Sequence, residues 1–362
     1  MRTRVPILIA LLAVSAPVPI WRLVDFIRHA TEPVFTVDAD PVVREDRWTP
    51  AFAESIQADL AAGRYEKLNQ MATEFRQPGA LFIAGWPKLA NFYDALTNYT
   101  RTPLPESSCA GRADEPGFDQ TRQHLVAWQT SNQNSTAAQI ALNKVWLDYA
   151  WDARGCDFAY KVTPEQWALT RERQDAIENS LLDIDPDIDP EEYYLLIGNA
   201  TLGGADRAQL DDFYRRAVAK FPWYLPFYGQ RAIVLLKNWY GGPGEEREYL
   251  DDLRRPDAGI LGQLAYTVAA SELVENTYPS EFFTSDGIEF PALIAAYEVR
   301  DKQYGLRDHD WNVIFLTSLW AHDARTAHAA LLQFGERWDP QVWGNHANFE
   351  TNVKWFHKNS GL

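Results

Sequence analysis

The stretch RRAVAKFPWYLPFYGQRAIVLLKNWYGG, Arg215 to Gly242, constrains the fold more than any other. It reads as a helix ending at Phe221, a tight corner at Pro222, and a second helix stopped by Gly241 and Gly242. Proline cannot continue the first helix, because its ring clashes with the preceding turn and disfavours helical geometry at the residue before it. In the second helix Ala232, Leu235, Leu236 and Trp239 recur at i, i+3, i+4 and i+7, one apolar stripe at helical period. A glycine just past the end takes the left-handed cap at little strain. Ala217, five residues before Pro222, is a small residue at the close approach. Antiparallel helix pairs of this kind are the unit of tetratricopeptide-like arrays.

The rest of the chain varies that unit. Thr49-Pro50 opens a helix with a capping hydroxyl and a proline in the first turn, and Phe52, Ile56 and Leu60 form its apolar face. Gly63 breaks it, and Tyr65, Leu68, Met71, Ala72 and Phe75 carry the next. Trp86 to Tyr99 reads as a third helix. Thr100 to Gly117 is a loop, followed by a helix around Asp119 to Trp128. Ser135 caps Thr136 to Arg154, with Gly155 at its end. Thr163-Pro164-Glu165-Gln166 starts a long helix running through Leu181. Helices follow at Glu191–Leu202, Ala205–Phe221, Glu245–Arg254, Gly259–Val274, Phe290–Tyr304, Trp311–Trp320, Ala324–Arg337 and His346–His357. No run alternates as a strand does. The expectation is an all-α fold, an irregular α-hairpin, tetratricopeptide-like array of about a dozen helices, spanning 49–362.

At 362 residues the chain buries a sizeable core, and 14 Trp, 16 Tyr and 18 Phe in a 46% hydrophobic composition exclude disorder. A formal net charge of −16 argues against nucleic acid as a partner. The densest acidic run, Asp183 to Glu192 (DIDPDIDPEE), lacks the central glycine of a calcium loop and reads as a solvated inter-helix linker.

Met1 to Arg4 is basic, and Val5 to Trp21 is apolar. Residues 1–24 therefore fit a cleaved secretory signal or an uncleaved signal-anchor, with 25–48 as a linker or arm. Val14-Ser15-Ala16 offers a cleavage site that Pro17 hinders. Either form places the bulk of the chain in the periplasm or cell envelope, with membrane contact only through residues 1–24. Cys109 and Cys156 then either pair in that oxidising compartment, closing a loop worth roughly 3–4 kcal/mol, or stay two separate buried thiols.

Three stretches carry a resemblance. AAGRYEKLNQMATEFR with GWPKLANFYDAL, STAAQIALNKVWLDYAWDARG, and FPWYLPFYGQRAIVLLKNWYGGPGEE stand in order over about Ala51 to Leu253, with a weaker tail at LLQFGERWDPQVW. On these the chain resembles the bacterial family catalogued as domain of unknown function 4034, whose members read as helical, tetratricopeptide-like proteins. The family's basic-Trp-Gly-Gly ending appears here, altered, as Lys237 to Gly242. The resemblance implies the fold and carries no activity.

No GxSxG, HExxH or phosphate-binding glycine loop is present. The two His-Asp pairs, His309-Asp310 and His322-Asp323, suit a metal-dependent hydrolase, but Asp310 and Asp323 read better as helix caps, so no metal and no cofactor is expected. Trp151, Arg154, Trp239 and Tyr240 sit at helix ends inside the strongest motifs, where an Arg among aromatics can stack and hold a carboxylate. They are the candidate binding residues, set against plain core packing and an Arg154 that serves its own helix end. Two functions follow. The first is a non-catalytic scaffold or adaptor whose concave face binds a protein or peptide. The second is an envelope hydrolase acting on a cell-wall or glycan substrate, which requires a deep pocket with two carboxylates about 5–10 Å apart.

Overall fold

The computed structural model describes residues 49–99, 101–102, 112–113, 115–155, 159–177, 180–181, 184–277, 279–284 and 287–360. Residues 1–24, the arm at 25–48, and both Cys109 and Cys156 lie outside the described residues. The helices are α1 Pro50–Ala61, α2 Tyr65–Phe75, α3 Lys88–Thr97, α4 Glu115–Ser131, α5 Thr136–Arg154, α6 Pro164–Asp175, α7 Pro190–Gly203, α8 Arg207–Lys220 and α9 Pro226–Val234. They continue as α10 Glu245–Leu253, α11 Gly259–Asn276, α12 Pro279–Phe282, α13 Phe290–Tyr304, α14 Asp308–Trp320, α15 Ala324–Phe334, α16 Pro340–Trp343 and α17 His346–Asn359. A two-residue antiparallel pair, Arg101–Thr102 with Arg112–Ala113, joins them. The fold is an all-α helical array.

Local chemistry sets most starts. Thr49 accepts from Phe52 N–H, Ser135 from Ala138 N–H and Asp206 from Gln209 N–H. Thr163 and Gln166 close a reciprocal capping box.

The array closes on itself. Successive inner helices touch in the order α3, α5, α7, α9, α11 and α13, and α13 packs on the short 3₁₀ turn Ile83–Gly85 that leads into α3. A Cβ on Gly85 would stand 3.1 Å from the Tyr304 ring, so the two ends of the ring meet in near contact. Arg300, fully buried, donates from Nε to the Ala84 carbonyl (2.8 Å) and from Nη1 to Thr267 Oγ1 (2.9 Å).

Two large cores lie along the ring, with a small third cluster at Ile197, Leu210 and Val234. One runs from Ile56 to Phe227 and the other from Leu225 to Phe356. The hairpin α8–α9 is the seam, since Tyr224 and Phe227 belong to the first and Leu225, Tyr228 and Ala232 to the second.

Several boundaries, and the burial of the acidic run, differ from the sequence reading. α9 ends at Val234, not at the glycine pair. There the chain turns back over the helix end, with Tyr240 N–H on the Val234 carbonyl (3.1 Å) and Gly241 N–H on that of Leu236 (3.2 Å). α6 stops at Asp175, and α4 starts at Glu115. The acidic run is only half solvated: Asp189, Glu191 and Glu192 are buried. Asp189 caps α7 and takes Arg76 Nε (2.6 Å) and the Tyr93 hydroxyl (2.8 Å), tying α2 and α3 to α7.

Candidate functional site

The inner helices each turn one stripe toward the axis of the ring. The stripes are Lys144, Leu147, Asp148 and Trp151 on α5, Glu191, Tyr194, Leu195 and Gly198 on α7, and Val268, Ser271, Glu272 and Glu275 on α11. Each set repeats at i, i+3, i+4 and i+7, the spacing that puts side chains on one helix face. Together they enclose a cleft of about 1060 Å³. Its lining is part aromatic, part charged, and falls into three corners.

At the first corner Lys144 Nζ lies 3.1 Å from Asp94 Oδ1 and 3.3 Å from Glu191 Oε1. The ammonium also sits over the Tyr194 ring, 5.5 Å from its centroid. Burial would discharge the lysine, but Asp148, Asp94 and Glu191 outweigh it and hold the amine charged. Glu191 is fully enclosed and accepts from the Tyr224 hydroxyl. Desolvation pushes its carboxyl up to about 7, against the pull of Lys144.

At the second corner Ser271 Oγ stands 2.8 Å from His309 Nε2, and His309 Nδ1 stands 3.1 Å from Asp339 Oδ2. Asp339 is also the N-cap of α16, accepting from Gln341 N–H on Oδ1 (2.8 Å). Although burial raises it, the contacts with His309 and Gln341 hold its carboxyl below the usual range. Asn312, fully buried, fixes the segment that carries Asp339: its Oδ1 accepts from Asp339 N–H and Trp343 Nε1, and its Nδ2 donates to the Arg337 carbonyl. Glu272 and Glu275 flank the imidazole. Desolvation raises both, Glu275 to about 7 with Glu272 as second cause.

The third corner holds three of the four sequence candidates. Trp151 and Trp239 meet edge to face at 5.8 Å, and the Arg154 guanidinium lies 5.2 Å from the Trp239 centroid and 5.9 Å from those of Trp151 and Trp167. Trp151 and Trp239 line the cleft. Arg154 lies behind them, buried, donating to the Gly155 carbonyl (2.9 Å) at the end of its own helix. Tyr240 points elsewhere. Its hydroxyl donates to the Thr201 carbonyl (3.0 Å), and the ring packs with Ile197, Leu210 and Val234.

The His-Asp pairs separate in the same way. Asp323 caps α15, accepting from Arg325 and Thr326 N–H. Asp310 accepts from Arg307 N–H and is paired with buried Arg300 (3.2 Å) and with Arg307 (3.1 Å). Those cations keep it ionised against burial. His309 alone reaches the cleft, and it does so through Ser271 and Asp339. Among the described residues no group of three or more His, Cys, Asp or Glu is arranged to hold a metal ion.

Sequence reasoning missed Lys144, Glu191, Ser271 and Asp339. The signal was there: α11 is apolar almost all round, and Ser271, Glu272 and Glu275 interrupt it on one face. A charge that a buried helix carries on a single stripe needs a polar space to face. Compared with known family models, curated proteins and solved structures, the chain matches none.

Proposed function

We propose that this chain is a binding protein whose closed helical array takes a cationic peptide segment into its axial cleft. The observation that carries the reading is the composition of the lining. Seven acidic side chains (Asp94, Asp148, Glu191, Glu272, Glu275, Asp308 and Asp339) face three cations (Lys144, Arg300 and Arg307), beside the rings of Trp86, Trp151, Tyr194 and Trp239. Net negative charge in a recessed space attracts cations, and aromatic faces add cation–π attraction for a lysine or arginine head. The same carboxylate excess argues against a phosphate backbone.

The glycan-hydrolase reading draws on acidic pairs in the cleft, chiefly Asp94–Glu191 with its raised glutamate. Lys144 bridges both members. An ammonium placed between them neutralises the pair and occupies the space where a sugar oxygen and a water would act, so peptide binding is the better account. Family membership, on the three stretches, and action outside the cytoplasm, on the basic and apolar start, belong to the same proposal. No helix among the described residues is long and apolar enough to cross a membrane, and residues 1–24 are not among them.

The test is selection on the purified chain with two randomised nonapeptide pools, one fixed at a central arginine and one at a central glutamate. The arginine pool should be retained, with retention falling as salt rises and lost in Trp239→Ala. Equal retention of both pools would refute the reading.

A further inference from the structure

Ser271, His309 and Asp339 come from three different elements, α11, the first turn of α14 and the cap of α16, and meet on the cleft wall. Their connectivity is directional. Asp339, held ionised, accepts Gln341 N–H on one oxygen, so its other oxygen faces His309 Nδ1 as an acceptor. A neutral imidazole then carries its proton on Nδ1 and presents a bare Nε2. The only proton available between Nε2 and Ser271 Oγ is that of the hydroxyl, so the serine donates to the histidine. A nucleophile on a base, with the base oriented by a carboxylate, is the arrangement that activates a hydroxyl.

We propose that these three residues give the cleft an acyl-transfer activity, with a carboxylic ester or other activated acyl group as substrate. Ser271 Oγ attacks the acyl carbon while its proton passes to His309 Nε2. The bond to the leaving oxygen breaks, and that oxygen takes the proton back from His309. Water then cleaves the acyl-serine, with His309 again accepting and returning one proton. Asp339 is the positioning residue. The backbone N–H groups of a serine inside a helix are engaged by the helix, so the oxyanion must be met by a side chain. Arg307 is the cation of this corner, and its charge is felt by Glu272, Glu275 and Asp339. Losing backbone donors lowers acyl transfer about 10²–10³-fold, so turnover is slow while the serine remains reactive. The inference does not rest on the peptide reading, because the relay geometry is independent of what else the cleft holds.

The experiment treats the full chain with a fluorophore-bearing fluorophosphonate and maps the adduct by mass spectrometry. In labelling, the Oγ–P bond forms, the P–F bond breaks, fluoride leaves and the hydroxyl proton goes to His309. A single adduct on Ser271 is expected, abolished in Ser271→Ala and slowed at least about 100-fold in His309→Ala. Asp339→Asn keeps a capping side chain for α16, so the fold stays. Without the carboxylate, labelling of Ser271 at a fixed pH slows at least about 100-fold while the urea midpoint stays unchanged, a split that a purely structural role would not produce. Peptide mapping of the unmodified chain decides the matter even where a variant fails to fold. No adduct on Ser271 in the folded protein overturns the proposal, as does undiminished labelling of Ser271→Ala. Failure here leaves peptide selection intact, and failure of peptide selection leaves the adduct intact.

Discussion

Glu192 shows how much a single side chain can be made to bear. It is fully buried in the first turn of α7, and neither carboxyl oxygen has a hydrogen-bond partner. Desolvation, then Asp189 and Glu191, push its carboxyl from 4.5 up to about 9. A carboxyl raised in the folded state favours folding fully below its unfolded value, and that contribution is lost as pH climbs toward the folded one. At 1.36 kcal/mol per unit, the loss between pH 4.5 and 7 is about 3 kcal/mol. Glu192→Gln keeps the shape and removes the titration. The variant should therefore unfold at higher urea than the parent at pH 7, by about 3 kcal/mol, and at nearly the same urea at pH 4.5. An equal difference at both pH values would refute the assignment. Nothing in DIDPDIDPEE marks Glu192 as dry while Asp185 and Asp187 stay wet, because helix register against α2 and α3 decides it, and that is a long-range property.

Among the helices, the capped starts were legible, while uncapped starts and some ends were not. Thr49, Ser135 and Thr163 with Gln166 read correctly because a cap is chemistry between residues three apart. The end of α9 did not, because the stripe Ala232, Leu235, Leu236, Trp239 fits a continuing helix equally well. What stops it is the fold-back of the 235–241 segment, which brings Trp239 to the cleft wall at the edge of the core. Gly241 permits this: a Cβ there would stand 1.6 Å from the Leu235 carbonyl oxygen, a backbone atom that has no side-chain freedom to yield. Gly241→Ala is expected to destabilise the chain by about 2–3 kcal/mol. It should also blue- or red-shift tryptophan emission as Trp239 leaves Trp151. Gly204→Ala strains a left-handed cap with open space around it. Its effect should be near 1 kcal/mol with no spectral change. If the two substitutions behave alike, close approach is not what holds the turn.

At the level of the whole molecule the sequence foretold hairpins stacked in a row, and the chain instead joins its row end to end. Local pattern is silent on closure, because the residues that meet, Ala84 and Arg300, are 216 positions apart. Arg300 is the fastening. Its guanidinium binds the Ala84 carbonyl, Thr267 and Asp310 at once, at full burial. Desolvation lowers its pKa, yet an arginine stays charged at any working pH, so the cation must remain paired where it is. Arg300→Met keeps the bulk and removes the charge. Breaking a buried pair typically destabilises by about 3–5 kcal/mol; Arg307 still neutralises Asp310, so the lower end, about 3 kcal/mol, is expected. The location of the damage matters more than its size. The Ala84 carbonyl loses its donor, the turn Ile83–Gly85 detaches from α13, and the cleft opens along the edge where Trp86 stacks under Arg307 at 4.5 Å. Hydrogen exchange should accelerate in 81–87 and 297–307 while α7 and α9, on the far side of the ring, keep their protection. Uniform acceleration throughout would mean that the ring is held by its cores alone and that Arg300 is only one stabilising contact among many.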